Sequence, residues 1–370
     1  MATPEIIDIN GMLQPVSEDS PAGTDIREDT SPTSPYYAIK DARNAARAAE
    51  RNSMFDEDGG STEATESWRK VLALAPDILQ NQAKDLEVAC WYIEALVRRH
   101  GFQGLRDGFS LVRQLIEKYW DNLHPMPDED GMDTRVAPLA GLNGEGAEGV
   151  LITPIRNVNI TEGTSGGPFN FWQYQQALDV QKITNEEQRA AKSDKLLFKL
   201  EDIERAVTES SEQFYVNLRD DLQQALSEFR KISRLLDGHC GTHHAPPSSN
   251  IVTALENSLG AVKHLGKAKL PTEEVATAEN GDPAANSAAT TAVTSSLQGA
   301  VKNRADAFRK LTEISEFFLK TEPHSPISYI LAKAVKWGSM PLNELILELI
   351  PETTSRNYYR TLIGIKSDTE

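Results

Sequence analysis

The chain has 370 residues, 39% hydrophobic and 25% charged, with 55 acidic against 38 basic side chains and a net charge of −17. That length gives room for two or three domains, and the composition is that of a globular protein. Such acidity disfavours nucleic acid and anionic lipid unless a local basic patch exists, and Lys and Arg are scattered along the sequence among Glu and Asp.

The two cysteines, Cys90 and Cys240, are too few for a disulfide framework, and Cys90 falls in an apolar helical pattern, as a buried free thiol does. From Met1 to Met12 no basic start is followed by an apolar run. No stretch approaches the ~20 apolar residues of a membrane span. The longest candidate, Leu342 to Ile350, is broken by Asn343, Glu344 and Glu348. The expectation is a cytoplasmic protein with no membrane insertion and no nucleic-acid partner.

In chain order, Trp68, Val71, Leu72 and Ala75 form a first helical element predicted to end near Pro76. Leu86, Cys90, Ile93 and Val97 make a second stripe, and Gly101 follows as a stop. Leu105, Phe109, Val112, Ile116 and Tyr119 recur every three or four residues, so the two stripes predict a pair of antiparallel helices. Val150 to Ile160 is rich in β-branched residues and contains Pro154, which predicts a short edge strand or hairpin. Thr161 to Pro168 reads TEGTSGGP, a turn-rich break. Phe214, Leu218, Leu222, Ala225, Phe229, Ile232 and Leu236 predict a long helix. After the loop Asp237–Asn250, Ile251, Leu255, Leu259 and Val262 predict its partner.

Residues Pro271 to Ser296 have no aromatic side chain and almost no large aliphatic one, so they cannot bury enough apolar surface to offset chain entropy. They read as a flexible linker, 271–296. The expected organisation is therefore mainly α. It comprises an N-terminal domain, 1–160, a middle helical domain, 170–270, the linker, and a C-terminal domain, 297–370. In that last piece Ser325 precedes Pro326 as a helix cap. Ile327, Ile330, Leu331 and Ala334 then share one face, and Leu342, Leu345, Ile346 and Leu349 supply another before Pro351. Together with a helix over Val301–Phe318, these faces exceed what so small a domain buries alone, which points to oligomerisation through Ile327, Ile330, Leu331, Leu342, Leu345, Ile346 and Leu349.

Signatures of chemistry are weak. The Gly-rich run Gly141–Gly149 carries Glu145 and Glu148 but no Lys or Arg, so it repels a phosphate and reads as a tight turn. His239, Cys240, His243 and His244 fall within six residues, but no second ligand cluster accompanies them, and Pro246 and Pro247 mark an exposed loop. No Gly-x-Ser-x-Gly occurs, and Asp128–Asp130 lack the alternating oxygen ligands of a calcium loop. Trp91, Trp120, Trp172 and Trp337 read as packing. The expectation is no cofactor, no metal and no catalytic residue. The competing reading is a metal-dependent hydrolase or effector using His239, Cys240 and His243.

One resemblance ties these elements together. Ser20-Pro21-Ala22-Gly23, Trp68-Arg69-Lys70-Val71, the run DLEVACWYIEALVRRHGFQGLRDGFSLVRQLIEKYWDNLHP over 85–125 and LAGLNGEGAEGVLITPIR over 139–156 resemble the ImpA-type N-terminal domain of type VI secretion proteins. Glu322 to Leu331 and LNELILELIPE over 342–352 are similar to the C-terminal domain of the TssA family. The resemblance implies a non-enzymatic assembly protein. Its C-terminal domain would build a homo-oligomeric ring, and its N-terminal domain would reach baseplate, inner-tube and sheath components. Members anchored in the membrane carry an apolar span; its lack here implies the soluble, baseplate-associated kind, which helps to prime and coordinate tube and sheath polymerisation.

Overall fold

The computed structural model describes residues 3–53, 60–129, 131–163, 166–241, 244–271, 304–321, 326–340, 345 and 348–349. The chain divides into two compact units, Met1–Val275 and Ala276–Glu370. Every regular element of the described residues is helical; extended backbone pairs only in isolated bridges.

The first unit is organised around α4, Leu86–Tyr119. Asp85 caps it, its carboxylate accepting from the Val88 amide at 2.9 Å. Gly101 breaks the helix at φ 58°, ψ −138°, a conformation open to glycine. The chain reverses there, and the arms 86–100 and 102–119 run back along each other. Their contact is close enough that a Cβ on Gly104 would lie 2.5 Å from the Leu96 carbonyl oxygen, and one on Gly108 2.7 Å from Ile93 Cγ1. This is the antiparallel pair that the two apolar stripes predict. Leu86, Ile93, Leu96, Leu105, Phe109 and Ile116 are all essentially inaccessible.

Around this hairpin lie α2, Pro35–Ser53, paired with α3, Gly60–Asn81, and on another side α10, Glu212–Cys240, with α11, Ser249–Leu265. The short α1, Ile9–Met12, packs against α3 and α4. Contrary to the sequence reading, α3 passes through Pro76 and adds the buried Ile78 and Leu79. Core burial outweighs the one backbone hydrogen bond that proline removes. Phe109 of α4 meets Phe229 of α10 with ring centroids 4.9 Å apart. Arg113 of α4 also pairs with Glu228 of α10. Segments on both sides of the Thr161–Pro168 break thus share one core, and the break is a loop inside the first unit.

The strand expected over Val150–Ile160 is instead a short helix, α6, Ile152–Arg156, followed by a few extended residues. Val150 and Leu151 donate back to Gly141 and Leu142 at the end of α5, Met132–Asn143, at 3.1 and 3.2 Å. That contact delivers Ile152 and Ile155 to the core as a helical turn. Pro154 sits in the first turn, where its missing N–H has no helical partner to lose. Only Val158 to Ile160 is extended, and it meets Phe169 to Phe171 through a single bridge, Asn159 to Asn170. Packing of the Gly-rich turn overrides β-branched preference here.

The remaining helices of this unit are α7, Phe171–Gln181, α8, Glu186–Ser193, and α9, Leu200–Glu209. The second unit contains α12, Arg304–Thr321, and α13, Pro326–Ser339. They pack side by side: Ser315 Oγ donates to the Ser328 carbonyl at 2.7 Å, and Gly338 lies against the Phe308 ring.

Candidate assembly surfaces

Several residues of the N-terminal sequence motifs are engaged inside the first unit. Gly23 has φ 76°, and a Cβ there would lie 1.9 Å from the Gln82 carbonyl oxygen, so the Ser20–Gly23 turn can lie against the end of α3 only with glycine. Ala22 accepts from the Lys84 amide at 2.8 Å, and His124 closes the other side by donating to the Lys84 carbonyl at 3.0 Å. Trp68 donates to Glu50 at 2.7 Å, and the Arg98 guanidinium lies 4.1 Å over its ring. In the Gly-rich turn, Asn143 is buried, and its side-chain oxygen accepts from the Ile251 amide at 3.0 Å, docking the start of α11.

Ion pairs fasten the surrounding segments to α4. Arg27 bridges Asp85 and Glu87, each at 2.7 Å, and Tyr36 donates to Glu87 at 3.1 Å. Burial works against the Arg27 charge, but these carboxylates outweigh it and raise its pKa. Arg43 of α2 meets the fully buried Glu94 at 2.6 Å. Arg106 is held by Asp107 at 2.7 Å and by Asp221 of α10 at 2.6 Å, and it donates to the Thr3 carbonyl at 2.7 Å. Burial raises the Asp221 carboxyl above its ordinary pKa, against the hydrogen bonds from Thr3 and the charge of Arg106.

The His/Cys segment is divided by the end of α10. His239 stacks on Trp120 with centroids 4.5 Å apart. Cys240 is half-buried, and burial raises its thiol pKa. His244 Nδ1 lies 3.5 Å from the Asp133 carboxylate, and His243 is outside the described residues. Among the described residues no three His, Cys, Asp or Glu side chains converge as metal ligands. Cys90 is fully buried, and that burial raises its thiol well above the ordinary value.

The second unit presents a different chemistry. Of the residues expected to drive oligomerisation, Ile327 and Ile330 are 43% and 61% exposed, Leu331 and Leu345 are half-buried, and Leu349 is 50% exposed. Leu342 and Ile346 are outside the described residues. Ile330 and Ile327 do not share the inner face of α13; Ser328 and Leu331 take it. Phe317, Leu319 and Tyr329 are also exposed, none of them singled out by the sequence pattern. Among the described residues ten large hydrophobic side chains are exposed, and six of them lie between Phe317 and Leu349. Isolated exposed apolar residues are ordinary, whereas these six are concentrated in one short stretch of the second unit. No helix of the described residues is long and apolar enough to cross a membrane.

A hairpin-centred helical unit and a separate small helical pair with exposed apolar side chains define the class as mainly helical, two-unit proteins. Comparison with known proteins narrows the class. Residues 13–144 match the family model of the ImpA N-terminal region of the type VI secretion system. The chain is 26% identical over 382 aligned residues to the type VI secretion system component TssA1 of Pseudomonas aeruginosa, covering 98% of this chain and 100% of that one. A solved N-terminal domain of the TssA component from Burkholderia cenocepacia, which includes the ImpA region, superposes with a TM-score of 0.59 at 25% identity. It covers 72% of this chain and 96% of its own. The chain is thus similar to TssA components of the type VI secretion system along nearly its whole length, and its residues 13–144 match the ImpA N-terminal region.

Proposed function

We propose that this chain is a cytoplasmic, baseplate-associated assembly protein whose C-terminal region, 297–370, closes copies of the chain into a ring. The first unit then faces baseplate, inner-tube and sheath components; the linker expected over 271–296 lies, apart from Pro271, outside the described residues. In this role it helps to prime and coordinate polymerisation of tube and sheath. The observation that carries the reading is the run of exposed apolar side chains on α12 and α13, with Tyr329 62% and Ile330 61% exposed. Burying such side chains against a neighbouring copy stabilises by about 25 cal/mol per Å² of apolar area, and a cyclic arrangement repeats that burial at every boundary.

Light scattering of the full chain tests this. The native protein gives large closed particles, and Ile330→Asp, which places an unpaired charge in the contact, reduces them to small species while the helical circular dichroism is retained. A fragment ending at residue 270 is a monomer or small oligomer. Large particles formed by that fragment, or undiminished particles from Ile330→Asp, overturn the reading.

A further inference from the structure

An open cleft of about 890 Å³ lies among the end of α2, the bend of the α4 hairpin, the 148–159 segment and the first turns of α10. Arg47 and Arg51 reach it from α2, and Arg98, Arg99 and His100 from α4. In a chain of net charge −17 this is a local reversal of sign. Three carboxylates also line it, and each is already engaged. Glu50 is held by Arg98 at 2.6 Å, Glu148 by Arg156 at 2.6 Å, and Asp221 by Arg106 at 2.6 Å. Among the described residues Arg47, Arg51 and Arg99 have no such carboxylate partner, and Arg51 and Arg99 are exposed. The crowding of like charge is felt at Arg47: burial first, then Arg43, with Arg51 and Arg98 adding and Glu94 opposing, lowers its pKa.

We propose that this cleft is a docking groove for an acidic, extended segment of a partner protein, whose carboxylates pair with Arg47, Arg51 and Arg99. The inference rests on the reading of the first unit as the partner-facing one and gives that partner its chemistry. Guanidinium groups match carboxylates with paired, planar hydrogen bonds. Between them the lining offers Val158 and Phe214 for aliphatic stems and the amides of Asn157, Asn159 and Asn217 for a peptide backbone. A long polyanion feels the repulsion of the whole chain, whereas a short acidic segment interacts mainly within a Debye length of about 8 Å, where the arginines dominate.

The test uses fluorescence anisotropy on the full chain with three labelled probes: deca-glutamate, deca-glutamine and a short oligo-thymidylate. Deca-glutamate binds, the affinity falls as salt rises, and deca-glutamine does not bind. The triple variant Arg47→Gln, Arg51→Gln, Arg99→Gln weakens binding about tenfold or more, the range expected for removing three partly exposed ion pairs. A control pair on α7 and α8, Lys182→Gln with Arg189→Gln, leaves it unchanged. No binding of deca-glutamate, or equal binding by the triple variant, overturns the proposal. Tighter binding of the oligonucleotide through the same arginines overturns it in favour of a nucleic acid. A tenfold gain on neutralising Asp56, Glu57 and Asp58 overturns it in favour of the chain's own acidic segment. Light scattering of the same samples reads ring formation separately: particles lost with peptide binding intact count against the ring alone.

Discussion

Substituting Gly104 by alanine tests whether the two arms of α4 pack as closely as the structure places them. In an isolated helix the change is favourable by about 1 kcal/mol, because glycine has the greater conformational freedom to lose. Here the new Cβ meets the Leu96 carbonyl oxygen at 2.5 Å, its carbon at 2.8 Å and His100 Cβ at 3.0 Å. The nearest obstacles are backbone atoms of the facing arm, which cannot swing aside, so the arms must separate. Overpacking of a tight core costs about 1–3 kcal/mol, and a backbone obstacle belongs at the upper end. The net effect is a loss of about 2 kcal/mol after the helical gain. Gly260 in α11 supplies the matched control, since nothing lies within 4 Å of its would-be Cβ. Gly260→Ala therefore stabilises by about 0.5–1 kcal/mol. Urea unfolding of both variants, followed by tryptophan fluorescence, reads the difference. With a slope of about 2–3 kcal/mol per molar, Gly104→Ala lowers the midpoint by roughly 0.7–1 M and Gly260→Ala raises it. Two midpoints shifted upward together would refute the close contact between the arms.

Three further outcomes follow from the buried charges and thiols. Lys84 is fully buried, and burial, with Lys118 adding, lowers its pKa from 10.5 to about 8. Between those values the unfolded chain binds more protons than the folded one, so stability rises with pH across that window, by at most about 3 kcal/mol. The rise is measured as the difference between the native chain and Lys84→Met, and equal pH profiles for the two would contradict it. Arg27→Met leaves the buried Asp85 carboxylate without its guanidinium and costs about 3–5 kcal/mol. Adding Asp85→Asn, which keeps a capping oxygen for Val88, recovers much of that loss in the same unfolding assay. A disulfide-exchange reagent labels one thiol of the folded chain, Cys240, while Cys90 reacts only on unfolding. Fast labelling of both, read by mass spectrometry of the peptides, would contradict the burial of Cys90.

What the sequence makes legible follows the range of the forces involved. The spacing of Leu86, Cys90, Ile93 and Val97, then Gly101, then Leu105 and Phe109, encodes α4, because periodicity and a glycine break act within a few residues. The same holds for α10 and α11, whose buried faces follow the predicted stripes. Failures occur where a distant contact decides. Val150 to Ile160 has the composition of a strand, but the fold of the Gly141–Gly149 turn sets its conformation, and it becomes α6. Ile327 and Ile330, expected on an oligomerising face, are exposed, while the contacts of Ser315 and Phe308 set which side of α13 faces α12. The periodicity finds the apolar residues and leaves open which of them are exposed.

The motifs and the cleft separate two kinds of information in this chain. Gly23, Trp68, Asp85, Gly104 and Asn143 each satisfy a hydrogen bond or a close approach inside the first unit, so their role is to specify its fold. Being engaged internally, these five leave the recognition of partners to other side chains. Arg47 and Arg51 are one helical turn apart on α2, and Arg98 and Arg99 stand near the end of an arm of α4, about fifty residues away. In sequence each pair is diluted among acids and reads as ordinary solvated charge. Only the packing of α2 and α3 against α4 brings them to one cleft, while Glu50, Glu148 and Asp221 are neutralised by partners of their own. A net charge of −17 therefore describes the chain at a distance, and the arginines describe it at contact. A partner with a basic surface is drawn to the first, and a partner with a short acidic segment is held by the second.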